Sequence, residues 1–216
     1  MKFLQILSFA SLALSLPSPA PVGDVVAVEA LEKRATVTDT IGQSIATLAD
    51  AVSSDAAAIT QAAQTIRDNV DASAVVAATA VIQANYQAIA NAIRNATAQI
   101  TAVTTGAAGG VAGAAAGLTQ AEVTQFITTL QQVVTLLENI RATLQVTATD
   151  LTPAAQAAVS AETAAVQAAV APFTVPLTAF AQAVTAASVA ARLTITGLGA
   201  AVAGISTAAQ EIAAGV

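Results

Sequence analysis

The chain has no cysteine, no histidine and no tryptophan, and after Lys33 it has no lysine. Without cysteine there can be no disulfide, so stability has to come from packing. Without histidine or cysteine the usual zinc ligands are missing, and neither a Ser-His nor a Cys-His pair can be built for nucleophilic catalysis. No Gly-x-Ser-x-Gly elbow occurs either. Only 9% of residues are charged and the net charge is −6. Such a chain lacks the basic patches that nucleic acid or an anionic membrane surface requires, which excludes a nucleic-acid partner. Aromatics are 3% of the total. These shortages leave no catalytic group, no cofactor and no metal site to expect, and the chain reads as a non-enzyme.

What is present begins with a leader. In "MKFLQILSFASLALSLPSPA" Lys2 supplies a positive start, an apolar run follows, and small residues end it. That is the layout of a secretory signal peptide over residues 1–20, and the run is shorter than the ~20 residues of a membrane span. Residues 21–34 then form a short acidic propeptide that ends in the pair Lys33–Arg34. "LEKR" before "ATVTD" resembles a kexin-type processing site. Cleavage there gives a mature chain of residues 35–216, with four arginines against ten acids. The expected location is extracellular or in a cell wall.

The mature part has the length of one domain. Its mean hydropathy is high, +0.71 over the whole chain, because alanine, the best helix former, dominates it. No mature window is expected to be long and apolar enough to cross a membrane. Apolar residues recur at steps of three, four and seven. Helix one starts with Thr38 or Asp39 as cap and carries Ile41, Ile45, Leu48, Val52, Ile59, Ile66 and Val70. Helix two, capped by Asp71 or Ser73, carries Val75, Ala78, Ile82, Tyr86, Ile89, Ile93, Ala96, Ile100 and Val103. A glycine-rich loop at 105–118 follows. Helix three opens on Thr119 and Glu122, three apart as in a capping box, and has the widest apolar face, from Val123 to Leu144. Thr152 and Pro153 start helix four, which Pro172 and Pro176 interrupt. Helix five runs from Leu177 through Ile195 and Leu198 to Ile212, with a tail at 197–216 that its glycines let fray or bend. The fold expected is all-α, an antiparallel bundle of about five long amphipathic helices.

Candidate sites have bland readings beside the functional ones. Asp68 and Asp71 sit at a helix junction, where capping explains them better than paired-carboxylate catalysis. The glycine-rich stretch lacks the Lys-Ser/Thr ending and the preceding strand of a phosphate loop. "NAT" makes Asn95 an N-glycosylation acceptor, and Asn95 lies about 200° around the helix from Ile93, on the outer face. Inner alanines such as Ala63, Ala78, Ala96, Ala187 and Ala191 allow two outcomes. The helices pack closely, or helix three leaves room for an acyl chain. An outer surface of Ala, Thr, Ser and Gln is weakly hydrated, so a bundle that opens can lay its stripes on a hydrophobic solid.

"VIQANYQAIANAIRNATAQI" followed by "LTQAEVTQFITTLQQVV", behind a leader ending in Lys-Arg, resembles the fungal hydrophobic surface-binding protein A family, which includes the antigenic cell-wall galactomannoproteins. The resemblance spans roughly residues 37–195, and residues 82–97 carry most of it. It implies secretion, a helical bundle and no catalysis. Some members adsorb to hydrophobic solids and recruit polyester-degrading hydrolases; others bind fatty acids between helices. This chain departs from the pattern in being richer in alanine and valine, lacking lysine after residue 33, and having the glycine-rich loop and an extended C-terminal tail. The partners expected are hydrophobic surfaces or fatty acids and other lipids, a secreted polyester hydrolase, and cell-wall polysaccharide. The contact residues expected are Tyr86, Ile89, Ile93, Phe126, Ile127, Leu130, Phe173 and Phe180. The alternative is a glycosylated cell-wall mannoprotein with no specific ligand.

Overall fold

The computed structural model describes residues 22–68 and 71–215, with side chains from residue 37 onward. The expected signal peptide and Val70 lie outside the described residues, as do the side chains of Lys33 and Arg34. Among the described residues there are only helices and turns: α1 (Val22–Asp68), α2 (Ala72–Thr105), α3 (Gly110–Ala115), α4 (Gln120–Asp150), α5 (Pro153–Ala191) and α6 (Leu198–Ala213).

The periodic stripes become the core. Ile41, Ile45, Leu48, Val52, Ile59 and Ile66 of α1 are buried, as are Ile82, Tyr86, Ile89, Ile93 and Ile100 of α2. α1 does not begin at Thr38 or Asp39. It runs back to Val22, with Thr38 buried and Asp39 accepting a hydrogen bond from Gln125 on α4 at 2.9 Å. Asp71 caps α2, its carboxylate accepting from the Ser73 N–H at 2.9 Å. That bond, with a second from the Ser73 hydroxyl, holds the Asp71 carboxyl below the usual carboxylate range. The capping box at α4 is complete: the Thr119 hydroxyl accepts from the Glu122 N–H, and Glu122 accepts from the Thr119 N–H.

Three expectations are corrected. The 105–118 stretch is not all loop, because Gly109 and Gly110 turn the chain in left-handed backbone into the six-residue α3, whose Ala114 and Ala115 are buried. Pro172 and Pro176 do not divide a helix. α5 continues through both for 39 residues, because buried Phe173, Leu177 and Phe180 hold that stretch in place. An interior proline costs about 3 kcal/mol, and each buried large side chain returns about 1.5–3 kcal/mol. The break falls instead at residues 192–197. Arg192 ends α5 in left-handed backbone (φ 57°), and the Leu193 N–H closes the end on the Ser188 carbonyl at 2.8 Å. Ser188 therefore takes an inner position, and Ala191 is exposed. The stretch expected to fray is largely the ordered helix α6, with Leu198, Ile205 and Ile212 buried.

Successive long helices are antiparallel, but spatial neighbours include parallel pairs. The Asp39–Gln125 and Arg67–Asp150 contacts set α1 parallel to α4. Gly197 lies against Ile127, Gly204 against Val134, and Glu211 pairs with Arg141 at 2.7 Å, so α6 runs parallel to α4. Helix neighbours form a ring in the order α1, α2, α5, α6, α4 and back to α1, while α4 and α5 touch each other sparsely. α5 is also long and apolar enough to cross a membrane, contrary to expectation, since its alanines and valines raise its hydropathy; here 39% of its most apolar window is buried within the bundle.

Candidate functional site

α6 wedges between α4 and α5 at one end of the ring and stops level with Arg141, where Glu211 fastens it. α4 runs on to Asp150, and α5 starts from the other side of a short turn. Nothing among the described residues covers the α4–α5 seam beyond α6. A cleft of about 380 Å³ opens there, lined by Leu144, Thr147, Ala148, Gln156, Val159, Ser160, Thr163 and Gln167. That volume is at the small end of ligand sites, which span about 300–1,000 Å³.

Leu144 and Val159 back the cleft and are only 3% and 2% exposed; Ser160 is exposed, and Thr163 and Gln167 are half-buried on the rim. The hydroxyl hydrogens are directed inward. Thr147 donates to the Leu144 carbonyl at 2.8 Å, Ser160 to Ala157 at 2.8 Å, and Thr163 to Ser160 at 3.0 Å. The Gln156 amide donates to the Ala148 and Leu151 carbonyls, closing the end of α4 that lacks helical donors. Behind Thr147 lies the Tyr86 hydroxyl, 2.9 Å from the Thr147 oxygen and 3.0 Å from the Thr143 carbonyl it donates to. Burial pushes the Tyr86 phenol up to about 12, with the Thr147 contact opposing part of that rise. The phenol is neutral throughout the physiological range.

The eight expected contact residues are all buried. Phe126 and Phe180 meet edge to face at 4.9 Å, and Tyr86, Ile89, Ile93, Ile127, Leu130 and Phe173 fill the interior between the ring helices. None lines the cleft. Further clefts of about 250–440 Å³ run along the α1–α4 groove, from Asp39 and Gln125 to Thr60 and Val146. Their linings mix Ala, Thr, Gln and Asn with Leu136 and Val146, and two of them include an acid, Asp39 or Asp50. Asn95 is exposed on α2, and no group of acids among the described residues could hold a metal ion.

No family model matches the chain, and no curated protein matches it. A solved structure does. The crystal structure of AFMP4P in complex with palmitic acid is 18% identical, with 79% of this chain and 97% of that one covered, at a TM-score of 0.37. This likeness is too weak in both identity and superposition to carry a site or a ligand across.

Sequence reasoning missed the cleft residues because Thr, Ser, Gln and Ala at these positions have no signature of their own. The cleft exists because α6 is shorter than the helices it lies between. The nearest signal in the sequence was the length difference between the last apolar stripe and those of α4 and α5, and the misplaced break at Pro172 and Pro176 hid it.

Proposed function

We propose that this chain is an exported, non-catalytic protein that binds a long acyl chain in the α4–α5 cleft. One observation carries the reading: beyond the end of α6 a cleft opens between two helices, backed by Leu144 and Val159 and with no charged residue in the lining. An alkyl chain laid there leaves water without burying a charge. Titration calorimetry with a long-chain ligand tests it. Replacing rim residues by Ser160→Phe with Thr163→Phe fills the opening while leaving the core untouched, and abolishes binding. Equal binding by that variant and the parent overturns the site. Export follows from the leader; secreted material beginning at Ala35 supports the processing, and material that retains the leader contradicts it.

Adsorption to hydrophobic solids needs more than the folded surface offers. Among the described residues, the large apolar side chains exposed on it are the valines Val76, Val81, Val175 and Val189. Adsorption, and with it recruitment of a polyester hydrolase, is a property of the opened bundle in this reading. The exposed Asn95 favours a second reading, a glycosylated cell-wall protein. A glycosidase-sensitive mass on secreted material, lost in Asn95→Gln, supports it.

A further inference from the structure

The α4–α5 cleft has a chemistry that selects among lipid heads. We propose that it takes a lipid whose head is uncharged and donates hydrogen bonds, such as a long-chain alcohol or a monoacylglycerol, in preference to a free fatty carboxylate. This rests on acyl binding at that cleft.

The lining offers no cation. Arg67 and Arg141 are engaged in ion pairs, Arg67 with Asp68 and Asp150, Arg141 with Glu211. Arg94 is on α2 with its guanidinium on Asn91, and Arg192 is at the far end of α5. A carboxylate entering here loses hydration and meets no counter-charge.

Hydrogen-bond polarity points the same way. The hydroxyl hydrogens of Ser160 and Thr163 are spent on backbone carbonyls, and the amide donors of Gln156 on Ala148 and Leu151. What those side chains still present is oxygen lone pairs. An acceptor-rich rim pairs with a hydroxyl head. It pairs poorly with an ester, which only accepts, and worst with a carboxylate, which only accepts and is charged.

Dodecanol, methyl dodecanoate and dodecanoate have the same chain and differ in the head. Calorimetry of the purified chain at about pH 8, where the carboxyl is fully ionised, should rank them in that order, with dodecanoate about tenfold or more weaker than dodecanol. Lowering the pH toward about 5 narrows the gap as dodecanoate takes up its proton. Ser160→Ala with Thr163→Val removes two acceptors and weakens dodecanol several-fold relative to methyl dodecanoate. Dodecanoate binding as tightly as dodecanol at about pH 8 overturns the preference while leaving acyl binding intact. An ester that outranks the alcohol overturns the acceptor argument. If none of the three binds, the acyl-binding reading itself is wrong.

Discussion

Tyr86 is the lone tyrosine in a chain without tryptophan, so its ultraviolet titration reports one group. Its phenol is raised to about 12 by burial. The unfolded chain releases that proton near pH ~10. Stability from this group is therefore complete below about pH 10 and is lost as pH rises from there to about 12, by on the order of 2–3 kcal/mol. The phenolate absorbance should rise together with loss of helical circular dichroism. A reversible midpoint near pH ~10 with helix intact would place the ring in water and contradict the burial. Arg192 gives a second residue-scale test. It holds φ 57° with an exposed side chain at the end of α5. Arg192→Gly relieves a left-handed backbone that costs an L-residue about 1–2 kcal/mol, so the melting temperature should rise. A fall would mean that the side chain, rather than the backbone, is what matters at this position.

At the scale of elements, α6 closes the ring by close approach to α4. A Cβ on Gly204 would stand 3.1 Å from Val134 Cγ2 and 4.0 Å from Val134 Cβ. That second distance is disulfide geometry. The pair Val134→Cys and Gly204→Cys, in a chain with no other cysteine, should oxidise readily and stabilise the bundle by up to about 4 kcal/mol against denaturant. Failure to form the bond under mild oxidant would show that α6 does not sit where it is described. The helices themselves were legible because their large apolar residues repeat at threes and fours, and the starts of α2 and α4 were legible because Asp71, Thr119 and Glu122 cap by local chemistry. The division of the last two helices was not. Pro172 and Pro176 obey a local rule that tertiary burial of Phe173, Leu177 and Phe180 overrides. The true break follows from Arg192 and a clamp in which the Gln120 amide pairs with both backbone groups of Thr194 at 2.8–2.9 Å. That contact joins residues 74 apart in sequence, which no local pattern records.

For the whole molecule, large apolar residues in an alanine-rich chain are needed inside, because alanine alone buries too little area to hold five helices together. The residues with most affinity for grease, Tyr86, Phe126, Phe173 and Phe180 among them, are thus consumed by the core. Under the proposed function, binding falls to a seam that the sixth helix does not reach. The candidate site was illegible for that reason: it is a shortfall in length between helices, lined by residues that look like ordinary surface. The most direct test uses Tyr86, whose hydroxyl touches the cleft residue Thr147. A nitroxide-labelled long-chain alcohol titrated into the purified chain should quench tyrosine emission to saturation, and Ser160→Phe with Thr163→Phe should abolish the quenching. Emission that stays constant in the parent, or falls equally in the variant, would contradict the account.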